Sequence, residues 1–238
     1  MTTATIPTVL PTAPHLPTLV GLVDYVAPGE RLLLTGVRYS DYFKLVEWRD
    51  EYRANSVRIA FDSGRMEIMV ISNLHERFRK IIDVLVTGWI VETGGEYCPS
   101  GQLTHHRADI EKGFEPDECY YVQNWKRVAG SGREIDFTKD PPPDLAIEIE
   151  VSSTVLDRLP IYAAFKIPEV WRCDGENVTI LLLQPNGQYR ESAASLALPT
   201  IPWPEFLTFL RTPVTGSYAD LDRRFRSWVR SLPPAPPA

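Results

Sequence analysis

The sequence predicts an α/β fold in which helices pack on both faces of a mixed sheet. Three observations support this class. The middle of the chain alternates between helical and extended patterns in the order α-β-β-β-α-β. A β-hairpin precedes this stretch, because two alternating segments flank the turn residues 62–65. Residues 144–151 alternate strictly, with one wholly apolar face, which is typical of a strand at the centre of a sheet.

Each element follows from a local pattern. Ser40 is a suitable N-cap for a short helix. Asn73 and Glu76 can form a capping box for a longer helix. Pro160 falls in the first turn of a helix over 157–165, where its missing N–H would have no intrahelical partner. The other predicted strands are 57–61, 66–70, 96–107, 116–122, 169–173, 178–183 and one after a turn at 185–187, and the other helices are 204–210 and 218–229.

The composition bounds the class of protein. A chain of 238 residues with 44% hydrophobic and 24% charged residues is globular. We interpret residues 19–232 as a single folded domain, 1–18 as a disordered tail rich in Pro and Thr, and 233–238 as a disordered Pro-rich tail. The longest apolar runs are far shorter than a membrane span, and we expect no membrane partner.

The expected cellular compartment and the net charge of the chain restrict its possible functions further. The N-terminal segment lacks a signal-peptide pattern, and the three cysteines include no CxxC pair, so we expect a cytoplasmic protein with reduced thiols. The net charge of −6 and the pI of about 5.3 argue against non-specific binding of nucleic acid. Any nucleic-acid function must therefore rest on a local site.

Three acids lie on one face of the strand 144–151: Asp144, Glu148 and Glu150. They could be solvated on an edge, or paired with arginine or lysine. They could also bind a divalent cation, which relieves the repulsion between neighbouring carboxylates. Asp117 favours the cation, because it begins the preceding strand and would point to the same place as Glu148 if the two strands pair.

These residues resemble a known family. The α-β-β-β-α-β order, with Pro116-Asp117 on one strand and Glu148-x-Glu150 on the next, resembles the PD-(D/E)xK nuclease superfamily. The finer pattern is similar to the Uma family of putative restriction endonucleases. The matching stretches are 64–68 with His75, 113–121, 143–148, and 159–163 running to 167–171. The resemblance implies a restriction-endonuclease-like core with an N-terminal helix and hairpin.

The resemblance also implies roles for named residues. Asp117 and Glu148, with the main-chain carbonyl of Ile149, would bind Mg²⁺ or Mn²⁺. Asp144 would support them. His75 matches a family position near the site, and its alternative role is a capping or packing histidine.

The sequence departs from the superfamily pattern at one position. The superfamily has Lys two residues after the Glu of the third strand, and this chain has Glu150 there, which would tune or bridge the ions. In the Uma pattern the basic residue comes from the following helix, which here is Arg158. Arginine suits phosphate but cannot act as a general base. Its alternative role is an ion pair with Glu148 or Glu150.

The hypothesis from sequence is a Mg²⁺-dependent endonuclease acting on DNA, as a homodimer if both strands are cut. The alternative is a catalytically degenerate nuclease fold that acts as a binding or interaction module, which the acidic pI, Glu150 and Arg158 favour. A third hypothesis, a zinc hydrolase using Cys98 and His105, has no metal-ligand spacing to support it.

Overall fold

The computed structural model has the α/β class predicted from the sequence. It describes residues 8–9, 16–52, 54–100, 104–130, 135–137, 139–151, 155–211 and 217–233. Residues 1–7, 10–15 and 234–238, which belong to the predicted tails, lie outside the described residues. None of the helices within the described ranges has the length and apolar content needed to cross a membrane.

The described residues form seven α helices and twelve strands. The helices are α1 (Leu16–Val23), α2 (Tyr39–Glu51), α3 (Asn73–Glu92), α4 (Trp125–Val128), α5 (Leu159–Ala164), α6 (Trp203–Arg211) and α7 (Tyr218–Ser231). The strands are β1 (Thr8–Val9), β2 (Arg31–Thr35), β3 (Val57–Asp62), β4 (Arg65–Val70), β5 (Cys98–Pro99), β6 (His105–Arg107), β7 (Lys112–Phe114), β8 (Glu118–Tyr121), β9 (Leu145–Ile149), β10 (Glu169–Cys173), β11 (Val178–Leu183) and β12 (Tyr189–Ser192).

The chain clusters into two compact units, each built on one six-stranded sheet. The first unit comprises Met1–Glu76, Leu103–Glu115 and Glu150–Phe165, and the second comprises Arg77–Gln102, Pro116–Ile149 and Lys166–Ala238. The prediction of one domain over 19–232 stays a prediction.

The first unit holds a sheet with the strand order β1-β2-β4-β3-β7-β6. One face of β3 and β4 is apolar, since Ile59 lies opposite Ile68 and Phe61 opposite Met66. This face forms a buried core with side chains of α1 and α2, and Tyr42 of α2 stacks on Phe61 with ring centroids 5.0 Å apart. Glu67, between Met66 and Ile68, therefore points to the other face of the sheet.

Backbone geometry explains two short features of the first sheet. The β3–β4 hairpin turns through Ser63 and Gly64, both at positive φ (48° and 88°), as a two-residue loop requires. Gly113 of β7 lies against the ring of Tyr42, and a Cβ there would overlap the tyrosine hydroxyl. A strand of three residues around such a glycine is too short to show the alternation of apolar and polar residues from which strands are predicted.

The second unit holds a mixed sheet with the strand order β12-β11-β10-β9-β8-β5. The β9–β10 pair is parallel, and the other pairs are antiparallel. The parallel pair follows from the chain path, because the helix α5 separates β9 from β10 in sequence. The elements α3, β5, β8, β9, α5 and β10 reproduce the predicted α-β-β-β-α-β order.

Helices cover one face of the second sheet. The rings of Trp171 of β10 and Trp203 of α6 have their centroids 4.9 Å apart. This aromatic layer continues through Phe225 of α7 to Trp89 of α3. Since Trp171 is in register with Ile147, the helices lie on the apolar face of β9. The acidic face of β9 points the other way.

Several predicted elements differ in detail. The predicted strand 96–107 is two short strands, because β5 pairs with β8 in the second sheet and β6 pairs with β7 in the first. The helix expected after an N-cap Ser40 begins two residues earlier, at Tyr39, with Arg38 as its N-cap. The side chain that caps α3 is that of Ser72 and not, as predicted, that of Asn73. Ser72 Oγ accepts a hydrogen bond from the N–H of His75 at 3.2 Å.

Candidate functional site

Glu148 lies in β9 of the second sheet, and Asp117 directly precedes the neighbouring strand β8. The antiparallel β8–β9 pair places Glu118 opposite Ile147. Continued by one residue, this register places Asp117 opposite Glu148. Residues directly opposite in an antiparallel pair point to the same face, with Cβ atoms about 5 Å apart. The strand pairing that the sequence hypothesis required is therefore present.

A backbone hydrogen bond fixes Asp117. The residue precedes β8, and its Oδ2 accepts a hydrogen bond from the N–H of Ile149 at 2.8 Å. This bond ties the start of β8 to the end of β9. Asp117 and Glu148 are both buried, with 4% and 5% of their surface exposed. Two neighbouring carboxylates in such surroundings repel each other unless a cation lies close by.

The oxygen donors at this place fit a hard divalent cation. Mg²⁺ uses one or two protein carboxylates and completes its shell with water and phosphate oxygens. Asp117 and Glu148 supply two carboxylates, and the role of the Ile149 carbonyl as a further ligand stays a prediction. Among the residues that the structure describes, no group of three or more His, Cys, Asp or Glu side chains is arranged to hold a metal ion. A two-carboxylate site needs no such group.

Comparison with known proteins identifies the family. A family model described as Uma2, a putative restriction endonuclease, matches residues 40–214. The chain belongs to the Uma2 family. The match covers both Asp117 and Glu148, and it confirms the resemblance seen in the sequence. A search of curated proteins finds no match. The family description supports a nuclease in general terms.

Asp144 of the Uma2 chain lies at the other end of the acidic face. It is four residues from Glu148, or about 13 Å along a strand. Its Oδ2 accepts hydrogen bonds from the N–H groups of Val122 and Asn124, both at 2.8 Å, and its Oδ1 accepts one from the Asn124 amide at 2.6 Å. Asp144 therefore holds the loop after β8, and its role beside the acid pair stays a prediction.

Arg158 is held by a buried glutamate within the first unit. Its Nε and Nη2 donate to Glu67 Oε1 at 3.2 and 2.5 Å, and Arg31 Nη1 donates to the same oxygen at 2.9 Å. The N–H groups of Val155 and Leu156 donate to Glu67 Oε2. Burial alone would raise the pKa of Glu67. The charges of Arg158 and Arg31 lower it by more, so the pKa of Glu67 lies below its ordinary value.

The contact between Glu67 and Arg158 was not predicted. Glu67 lies in one of the stretches that carry the family resemblance, but alternation alone places it on a polar strand face. Its burial depends on residues 155–158, about 90 positions later in the chain. The only sequence signal is a lone acid within an otherwise apolar part of β4.

The other two predicted site residues also belong to the first unit. His75 is buried in the first turn of α3, where its N–H meets the capping hydroxyl of Ser72. Glu150 is half-buried and directly follows β9. The roles suggested for His75, Glu150 and Arg158 near a metal stay predictions.

Proposed function

We propose that this Uma2 chain is a Mg²⁺-dependent endonuclease that hydrolyses phosphodiester bonds of DNA. One observation supports the proposal: the β8–β9 register, continued by one residue beyond β8, sets Asp117 opposite Glu148. Family membership supplies the reaction class. The metal and the DNA substrate are the parts that belong to the proposal.

The protein residues would act by holding and orienting the ion. Asp117 and Glu148 would bind it, with the Ile149 carbonyl as a further ligand. When bound, Mg²⁺ supplies Lewis-acid polarisation of the phosphodiester and neutralises charge that develops during hydrolysis. The N–H of Ile149 keeps the Asp117 carboxylate in one orientation. The acid pair belongs to the face of the sheet opposite to the aromatic helices.

Cleavage of plasmid DNA tests the proposal. The full chain should cleave with Mg²⁺ or Mn²⁺ and not with EDTA. Asp117→Asn and Glu148→Gln should each lower the cleavage rate by about a thousandfold or more, because each removes a carboxylate that binds the ion. The matched control is Glu191→Gln, which changes an exposed acid on β12 of the same unit and should leave the rate unchanged. Equal cleavage by wild type and both site variants would refute the assignment.

A homodimer belongs to the same proposal. Two copies related by a two-fold axis would present one site to each strand of a duplex. Sedimentation velocity on the full chain should then show a species of twice the chain mass. A monomer that nevertheless cuts both strands would remove this part of the proposal and leave the metal site intact.

The second candidate is a binding module that keeps the fold without the chemistry. The observation that favours it is the engagement of Arg158 with buried Glu67. In that case the chain would bind no Mn²⁺ through Asp117 and Glu148, and DNA would stay intact at any metal concentration. Calorimetric titration with Mn²⁺ separates the two candidates.

A further inference from the structure

Arg172 lies on the strand next to Glu148. The parallel pairing of β9 with β10 places Arg172 in register with Glu148. Neighbouring strands are about 4.8 Å apart, and registered residues share a face. Together with the β8–β9 register, one row across the second sheet therefore reads Asp117, Glu148, Arg172. All three residues belong to the same unit.

The surroundings of Arg172 differ from those of the residues beside it. Trp171 and Cys173 are buried, and Trp171 points to the aromatic helices. Arg172 is half-buried and, by alternation, points to the face of the acid pair. Thr179 of β11 follows it in the same row and is also half-buried. The row thus continues from two acids to a cation and a hydroxyl.

Guanidinium chemistry suits a phosphate at this place. The planar fork of arginine donates two parallel hydrogen bonds to phosphate oxygens, and arginine stays charged at any working pH. A phosphodiester beside an ion on Asp117 and Glu148 would need such a donor on the neighbouring strand. Strand β9 itself does not supply one, since the residue two positions after Glu148 is Glu150.

We propose that Arg172 is the residue that binds the phosphate group of the DNA backbone at the Asp117–Glu148 site. This inference rests on the proposed function and adds to it a residue that neither the motif nor the family match assigns. With DNA, its guanidinium binds the phosphate next to the ion.

DNA affinity with Ca²⁺ in place of Mg²⁺ tests Arg172 separately from cleavage. Arg172→Gln should weaken binding of a labelled duplex by about tenfold or more, since it removes charged hydrogen bonds to phosphate. The slope of log affinity against log salt should fall by about 0.9, as expected for one phosphate contact. Affinity for Mn²⁺ without DNA should stay equal or become tighter. Arg190→Gln, an exposed arginine of β12, is the matched control and should bind as wild type.

Two further comparisons keep the test decisive. Arg172→Lys retains the charge and loses the fork, so it should keep the salt slope and lower kcat/KM several-fold. If Arg172→Gln does not fold, Arg172→Lys decides, and a wild-type kcat/KM overturns the inference. If the wild type is active and Arg172→Gln has the same DNA affinity and the same salt slope as the wild type, the inference is also overturned. The proposed function stands in that case. A wild type that binds neither Mn²⁺ nor DNA removes the proposed function and this inference with it.

Discussion

Two buried acids, Glu67 on the first sheet and Glu148 on the second, have different surroundings. On the first sheet, Glu67 receives hydrogen bonds from Arg31 and Arg158, and its pKa is lowered as a result. On the second sheet, Asp117 lies opposite another acid, Glu148. A glutamate held by two arginines is an internal ion pair, and its charge is already balanced. Two acids in register bring like charges together, and a bound cation would offset both of them.

The comparison separates structural acids from candidate catalytic acids. Glu115 extends it, because this buried residue of the first unit accepts a hydrogen bond from Thr104 Oγ1 at 2.9 Å and forms an ion pair with Arg49. Acids that are held by arginines should matter for folding, and acids that lie in register with another acid should matter for function. Mutations of Glu67 and Glu148 should therefore change stability in different directions.

The largest expected effect is the loss of stability in Glu67→Gln. The change leaves two buried guanidinium groups without their carboxylate, and removing one partner of a buried ion pair costs about 3–5 kcal/mol. Urea unfolding at neutral pH measures the free energy of unfolding. Glu47→Gln, an exposed position on α2, is the control and should stay within about 0.5 kcal/mol of wild type. A stable Glu67→Gln would break the comparison.

The ion pair of Glu67 should also make the free energy of unfolding depend on pH. Because the pKa of folded Glu67 lies below its ordinary value of 4.5, the unfolded chain binds more protons between the two values. The contribution of Glu67 is therefore complete above about pH 4.5 and is lost as the pH falls through the folded pKa. Unfolding free energies measured over this range should fall more steeply for wild type than for Glu67→Gln. Parallel curves would contradict this.

Glu148→Gln should behave in the opposite way to Glu67→Gln. Without a metal, the neutral amide removes the repulsion from Asp117, so the melting temperature should be equal to or slightly above that of wild type. A gain of about 1 kcal/mol is the expected scale for one pair of neighbouring like charges on a sheet. Differential scanning calorimetry with EDTA measures it. A loss of several kcal/mol would mean that Glu148 is a structural acid like Glu67.

A neutral contact of the first unit should have a smaller effect than Glu67→Gln. Ser72→Ala removes the hydroxyl that caps α3 and should cost about 1 kcal/mol of unfolding free energy. Ser72→Thr keeps a capping hydroxyl and should recover most of the loss. If Ser72→Ala costs as much as Glu67→Gln, charge is not what distinguishes the acids of the first sheet.

Local patterns predicted much of the fold. The β3–β4 hairpin, α3, and the strands β10 to β12 follow from alternation, helical spacing and turn residues, and the structure confirms them. The pairing of β8 with β9 was the condition on which the site hypothesis depended, and the structure meets it. The proposed Asp117–Glu148 pair follows directly from that register.

Contacts between distant segments could not be predicted. Glu67 and Arg158 are 91 residues apart, and no local pattern links them. The division of residues 96–107 between two sheets depends on which strands β5 and β6 find as partners. The register of Arg172 with Glu148 could not be predicted for a similar reason, since it is fixed by the β9–β10 pairing and not by spacing in the sequence.

Calorimetric titration of the full chain with Mn²⁺ tests the central claim most directly, namely that Asp117 and Glu148 together bind one cation. The account predicts one ion per chain, with a Kd in roughly the micromolar to millimolar range. Asp117→Asn and Glu148→Gln should each weaken binding at least about tenfold, which corresponds to about 1.4 kcal/mol, while Glu191→Gln should bind as wild type. Mn²⁺ binding that is absent from wild type, or unchanged in both site variants, would contradict the account.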